Sequence, residues 1–452
     1  MLVVFSDIHL WDGTIGLPVK PQTFSLFASR LRELAYQASW RSDGKYRPVE
    51  TVDILLLGDI LDPLQSTRWH DEANGFVRPW SAVDDPLFAE KLSEITHAIL
   101  ECNSHAGEIF KRLVCGDAIR MLPADSRGKP DFYTQERVTP KVRIHYMVGN
   151  HDWYYHVPGP AFDKIRREII EAFGLSNSTG PFPHDPVESG LLTGLLIDYE
   201  LVARHGDIFD HFTYNHEFGR DAAALSDIYS SEVIFRFPLE IERQLASEIP
   251  PALQTAVRQI TSVRPLLAAP IWLKNQVRSM TTTLRLENHL RTIWNGIIDD
   301  FLKLDAVYDR TRGLGRGELH ALRLLLMLSQ RTSLTTMADV AGWLQRNIWG
   351  SELSIARFAP RERDIIENRA NYVVYGHTHN HEVISLDTEN PAASEARRVY
   401  VNTGTWGAFH DVLAPNYNRA GKGPSNLVTC VAFYKDDERN GRKFEPWWAN
   451  FA

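Results

Sequence analysis

Val142-Arg-Ile-His-Tyr-Met-Val148 runs directly into Gly149-Asn150-His151-Asp152. A β-branched, apolar run closed by glycine reads as a buried strand, and the four polar residues then fall at its carboxyl end. The same arrangement recurs four times. Residues 2–5 lead into Ser6-Asp7-Ile8-His9, and residues 52–57 lead into Gly58-Asp59. Val202-Ala-Arg204 leads into His205-Gly206-Asp207, and residues 372–375 lead into Gly376-His377-Thr378-His379. Polar residues grouped at the ends of several strands are how α/β sheets build ligand sites. Five such groups in one chain point to one shared site.

The donor types narrow its chemistry. Two divalent ions held about 3.5–4 Å apart need a bridging carboxylate, imidazole or carbonyl donors, and open positions for water and substrate. The strand ends offer two Asp, one Asn and four His, a mixed N/O set suited to Mn, Zn or Fe rather than to Ca or Mg alone.

The order Asp-x-His, Gly-Asp, Gly-Asn-His-Asp, a lone His and Gly-His-x-His resembles the calcineurin-like metallophosphoesterase family, with motifs spread over both ends of the chain. The resemblance implies an α/β fold, a four-layer αββα sandwich with a mostly helical insertion. It also implies two divalent metal ions, with manganese expected and zinc or iron as alternatives. On that basis Asp7, His9 and His379 bind the first ion, Asn150, His205 and His377 bind the second, and Asp59 bridges them. His151 serves as general acid or transition-state stabiliser, with Asp152 orienting its imidazole. The implied reaction is hydrolysis of a phosphodiester or pyrophosphate bond by attack of a metal-bridging hydroxide.

Substrate is less determined. Gly58-Asp59-Ile60-Leu61-Asp62 lacks the Arg-Gly that follows in protein Ser/Thr phosphatases. The position of the insertion, after His205-Gly206-Asp207 and before Gly376-His377, is similar to the UDP-2,3-diacylglucosamine pyrophosphatase branch. Here the insertion is far longer, and His151 stands where many of that branch carry Arg. A phosphate-containing small molecule, a nucleotide or a lipid-linked substrate fits this reading. A nuclease of the same superfamily and a non-catalytic binding protein on the same fold remain as alternatives.

Length and composition set the frame. The 452 residues suggest two or three units. A first catalytic part is expected over 1–214, a helical insertion acting as lid or cap over 215–370, and a second catalytic part over 371–452. A net charge of −8 disfavours a general grip on nucleic acid. No apolar run is long enough for a membrane span. A strand beginning at Leu2 leaves no room for a secretory leader, and three cysteines make neither a disulfide framework nor a zinc pattern. A cytoplasmic location is expected.

Leu286, Leu290, Ile293, Ile297, Phe301 and Leu304 recur at helical spacing, as do Leu319, Leu322 and Leu326. Residues 211–370 hold 20 basic side chains, 18 of them arginine, against 18 acidic ones. Most of these arginines read as partners in ion pairs along helices. Residues 24–40 and 87–113 read as further helices, and 382–386, 398–401 and 427–434 as later strands. The irregular segment 63–86 leaves a ligand-bearing strand end, as pocket-shaping loops do; Arg68 and Arg78 within it are expected to meet substrate.

Other polar residues read as structural. His145 is expected in the core and Asp53 at a strand edge. Asp207 and Asp210 are open between acceptors for ligand imidazoles and solvated loop acids. His211, His216, His381 and His410 are expected to be structural. Trp272, Trp294, Trp343 and Trp349 are expected to pack rather than to stack bases, and the tail with Pro446-Trp-Trp448 and Phe451 to dock on the domain.

Overall fold

The computed structural model describes residues 1–311 apart from 74, 215, 246–247, 265 and 281–282. It also describes 323, 325–327, 329, 352–387, 398–412 and 425–450. The fold is mixed α/β. The strands are β1 (Leu2–Phe5), β2 (Thr51–Leu57), β3 (Lys141–Met147), β4 (Leu201–Ala203), β5 (Val263–Arg264), β6 (Tyr372–Tyr375), β7 (His381–Ser385), β8 (Val399–Thr403), β9 (Ala408–Asp411), β10 (Ser425–Phe433) and β11 (Phe444–Asn450).

One sheet runs β3-β2-β1-β10-β9-β5, with β11 also paired to β10; the other runs β4-β6-β8-β7. β1, β2 and β3 are parallel, in register Leu2↔Asp53 and Val52↔Val142. Their ligand-bearing ends therefore open on one side. β4 and β6 are parallel as well, with Leu201 opposite Tyr372, so the lone His205 comes beside Gly376-His377.

Side-chain alternation along the strands sorts the core. Val3, Phe5, Ile54, Leu56, Ile144 and Tyr146 face the helices α1 (Pro21–Ala38), α2 (Pro86–Cys102), α3 (Ser104–Val114) and α4 (Pro160–Phe173). Leu2, Val4, Leu55, Leu57 and Met147 face the opposite way and pack with Val374 and Val401 of the second sheet. On that sheet's other face, Val373, Tyr375 and Tyr400 pack against Ile355, Ala359 and Ile365.

A further core runs from Phe212 through the helices Arg236–Leu245 and Leu284–Lys303 to Leu326, and it includes Ile15, Leu64 and Val412 from the flanking parts. The buried face of Leu284–Lys303 is the one that the periodicity predicts, with Leu286, Leu290, Ile293, Ile297 and Phe301 inside; Leu304 caps its end. Trp272 and Trp294 are buried. Leu319, Leu322, Trp343, Trp349 and Phe451 lie outside the described residues.

One expectation is corrected here. The helix over 87–113 is two helices broken at Asn103, whose side-chain amide donates to the Ile99 and Trp11 carbonyls and so competes with the helical pattern. Within the mostly helical described residues of 215–370, Val263–Arg264 adds a short edge strand beside β9. The aromatic tail docks, as expected, and does so as a strand that pairs with β10 from Leu427 to Phe433. Among the described residues no helix is long and apolar enough to cross a membrane.

Candidate metal centre

The ligand loops continue the parallel pairing of their strands. The Asp7 and His9 amides donate to the Gly58 and Asp59 carbonyls at 3.1 and 3.0 Å, and the Gly376 amide donates to the His205 carbonyl at 2.8 Å. Each loop then turns sharply. Asp7, His9, Asp59, His377 and His379 all have φ between 50° and 68°, a left-handed region that costs a non-glycine residue roughly 1–2 kcal/mol. Five neighbouring residues held in this conformation concentrate backbone strain at one place in the fold.

Glycine makes the crowding possible. A Cβ on Gly58, at φ 88°, would stand 2.6 Å from His205 Nδ1. A Cβ on Gly149 would stand 2.7 Å from the same ring and closer still to Asp59.

Two donor groups share the carboxylates. In one, His379 Nε2 lies 3.3 Å from Asp7 Oδ1 and 3.0 Å from His9 Nε2. In the other, His205 Nε2 lies 3.2 Å from Asp59 Oδ2 and 3.1 Å from Asn150 Oδ1, and His377 Nδ1 lies 2.9 Å from that amide oxygen. Asp59 also reaches toward His9 Nε2, at 3.9 Å, so it stands between the groups. Asp7, His9 and His379 form one potential metal-binding cluster, and Asp7, Asp59 and His205 another. All seven sequence-predicted ligands thus come together.

The chemistry of this set fits cations. Asp7 Oδ1 is buried without a hydrogen-bond partner, and a buried carboxylate oxygen left bare is costly. Although burial opposes it, Asp59 pushes the His205 imidazole up to about 10. Asp59 itself, despite burial, is held well below the usual carboxylate range by His205 and His151. This field would bind a divalent ion once the imidazoles release their protons. His205 Nδ1 donates to the Leu57 carbonyl at 2.9 Å, a contact that places a proton on Nδ1 and leaves Nε2 as the atom for a metal.

His151 stands beside both donor groups and forms a further potential metal-binding group with His9 and Asp59. Its amide donates to Asp59 Oδ1 at 2.8 Å, while its Nδ1 faces Asp62 Oδ2 at 3.0 Å. Burial opposes protonation, yet Asp62 and Asp59 push this imidazole up to about 9. Asp152 does not meet it. That carboxylate turns inward to accept from the Gly149 amide at 2.5 Å, the Ile60 amide at 3.0 Å and the Tyr146 hydroxyl at 2.6 Å. It braces two ligand loops, and Asp62 orients His151. Asp62 also faces His9 Nδ1 at 2.9 Å, so it ties the His9 and His151 rings together. The sequence signal for Asp62 was its place three residues after Asp59 in the same loop.

Arg68 and Arg78 are not brought to the cluster. Arg68 pairs with Asp12 and Glu94 at 3.2 and 2.9 Å. Arg78 is buried against Glu72 at 2.7 Å and donates to the Trp69 carbonyl at 2.6 Å. Carboxylates near each arginine claim the guanidinium. The arginine that does reach the cluster is Arg264 of β5, whose Nε donates to His379 Nδ1 at 3.1 Å. It lines a small cavity of about 60 Å³ with His9, Lys20, Gln65 and His379. Nothing in the local sequence marks it, since its position depends on the pairing of β5 with β9.

The remaining polar residues divide. Asp53 is buried and bound by Arg143 and His145, so both it and His145 are structural. Asp210 faces His377 Nε2 at 3.3 Å, whereas Asp207 pairs with Arg220 at 2.8 Å. His381 faces a backbone carbonyl and His410 faces Gln259; His211 and His216 lie near each other, beside Tyr214. No family model, curated protein or solved structure matches the chain.

Proposed function

We propose that the protein is a dinuclear-metal-dependent phosphoesterase acting on a phosphodiester or pyrophosphate bond. The observation that carries this reading is the convergence of all seven ligand side chains from five separated loops, with one carboxylate between two donor groups. The layering of helices, sheet, sheet and outer helical segment supports reading the fold as the αββα sandwich of metallophosphoesterases. Residues 1–214 and 371–452 then form the catalytic part and 215–370 an insertion on it.

Asp7, His9 and His379 would hold one divalent ion and Asn150, His205 and His377 the other, with Asp59 shared. The mixed N/O set suits manganese, zinc or iron. When bound, such ions supply Lewis acidity and activate water near neutral pH.

The chain's own residues do the rest. Asp62 holds the His151 imidazole by Nδ1, leaving Nε2 to carry a proton toward the leaving oxygen. A positioned acid of this kind contributes about 10²–10⁴-fold. Asp152 fixes the Gly149 and Ile60 amides, and with them the loops that present Asn150 and Asp59. Arg264 and Lys20 beside the small cavity offer positive charge to a phosphate.

The test is hydrolysis of bis-p-nitrophenyl phosphate by protein stripped with a chelator and reloaded with manganese. Turnover that appears only with metal, and disappears in Asp59→Asn, is expected. A folded protein carrying two metal equivalents with no activity on this ester or on a nucleotide pyrophosphate would favour a binding protein instead.

A further inference from the structure

A second group of metal-binding side chains lies beyond the dinuclear centre, where the insertion begins. His156 ends the 3-10 turn Trp153–His156, just after the third motif. His184 lies in the loop before the turn Pro186–Glu188. Asp221 lies in the segment that enters the insertion. His156 Nδ1 is 2.6 Å from Asp221 Oδ1, and His184 Nε2 is 3.3 Å from the same oxygen. The three ligand atoms all lie within 4.8 Å of one another.

Two further observations separate this group from a chance surface cluster. On the outer side of His156, Nε2 lies 3.1 Å from Glu188 Oε2. A carboxylate on the outer nitrogen is how ligating histidines are fixed in one tautomer; a zinc ion would displace the proton between Nδ1 and Asp221 and leave the one on Nε2 toward Glu188. The His184 ring is only 2% exposed, with Nδ1 lacking any hydrogen-bond partner.

We propose that His156, His184 and Asp221 form a third metal site, taking a zinc ion, with water completing the coordination. Ligands about 2.0–2.1 Å from zinc stand about 3.3 Å apart at tetrahedral angles. The spacing of His184 and Asp221 already fits, and His156 needs to retreat by roughly 0.7 Å. Half-exposed Asp221 and Glu188 leave an entry path.

The site has a mechanical role. Its ligands come from the loop after Asn150 and His151, from the loop before β4 and from the first segment of the insertion. The neighbouring Arg220 donates to Asp207 at 2.8 Å and to the His184 carbonyl at 3.3 Å. Zinc would pin the insertion's entry to the loops of the catalytic centre. This inference does not depend on the hydrolase reading.

The experiment uses the full chain without an affinity tag, stripped by a chelator, reloaded with zinc and freed of excess ion. Metal per chain is measured by plasma mass spectrometry in the unaltered protein, Asp221→Ala, His156→Gln and Asp59→Asn. Asp221→Ala and His156→Gln should each bind one equivalent fewer than the unaltered protein while keeping the metal of the dinuclear centre. Asp59→Asn should lose metal from that centre, and adding Asp221→Ala to it should remove one more equivalent. Cobalt in the unaltered protein should give visible bands, part of which Asp221→Ala abolishes. Equal metal content in Asp221→Ala and the unaltered protein would overturn the proposal, leaving a hydrogen-bonded His–Asp–His clamp.

Discussion

Asp59 and His151 are joined by a backbone-to-carboxylate hydrogen bond, yet their side chains carry different tasks, and substitution should separate them. The Asp59 carboxylate stands between the His205 and His9 imidazoles. Removing its charge weakens both donor groups at once, so Asp59→Asn should lose nearly all turnover together with bound metal. The His151 side chain is held at Nδ1 by Asp62 and, although it groups with His9 and Asp59, is assigned the proton rather than a metal. His151→Ala should keep its metal while turnover drops about 10²–10⁴-fold. Metal analysis beside steady-state kinetics on the same preparations checks both. Loss of metal in His151→Ala, comparable to that in Asn150→Ala, would show that His151 is a ligand. The ligands were legible in the sequence because each follows an apolar run closed by a chain reversal. Asp62 was not assigned a role there. On paper Asp152 adjoins His151 whereas Asp62 lies 89 positions away, and only the fold turns Asp152 inward to the Gly149 and Ile60 amides.

At the scale of elements, the insertion is tied to the catalytic part by buried polar contacts as well as by apolar packing. The turn Thr67–His70 places His70 against the π-helical turn Ser230–Phe235, and its Nε2 meets the Ser231 carbonyl at 3.2 Å. Burial, with Arg78 and Arg236 nearby, lowers this imidazole to about 3; Glu232 lies 3.9 Å from its Nδ1. The folded state therefore resists a proton that the unfolded chain takes up near pH 6.5. Stability is fully present above that pH and is lost as pH falls toward about 3. His70→Gln retains a donor and removes the titration. Between pH 7.5 and 5.0 the stability difference between the unaltered protein and this variant should move about 2 kcal/mol in favour of the variant. Thermal unfolding at the two pH values measures it, and an unchanged difference would show that His70 is accessible to protons. The helix Leu284–Lys303 was legible because one face is apolar at a regular step. The two-residue strand β5 was not, because its pairing with β9 is a tertiary event between short segments far apart in the chain. The break at Asn103 was likewise hidden, since a polar residue inside a helical pattern is equally compatible with a solvent-facing position.

Across the whole molecule, the insertion returns to the metal centre at more than its points of attachment. Asp210 and Thr213, just before it begins, stand beside His377 at 3.3 and 3.4 Å, and from within it Arg264 donates to His379. Its core takes in Ile15, Leu64 and Val412, so excising 215–370 would expose apolar surface on the remainder and confuse loss of fold with loss of function. A single side chain gives a cleaner test of whether the insertion selects substrate. Arg264 is also held by the Thr261 and Val263 carbonyls, which fix the guanidinium at the mouth of the small cavity next to His9 and His379. His379 turns Nε2 toward Asp7 and His9. A metal taken on that nitrogen leaves the proton on Nδ1, where the guanidinium now donates. Two donors cannot share that contact, so metal loading should turn Arg264 away from the ring and toward a phosphate oxygen. A charge-assisted hydrogen bond is worth about 1.5–3 kcal/mol, which corresponds to about a ten- to hundredfold loss in kcat/KM for Arg264→Ala on a phosphodiester, with metal content preserved. Arg264→Lys should recover only part of it, since an ammonium supplies charge without the planar fork. If Arg264→Ala hydrolyses the ester normally, the insertion approaches the site without touching substrate. If it instead loses metal, Arg264 serves the ligand shell, and selection of substrate falls to another part of the insertion.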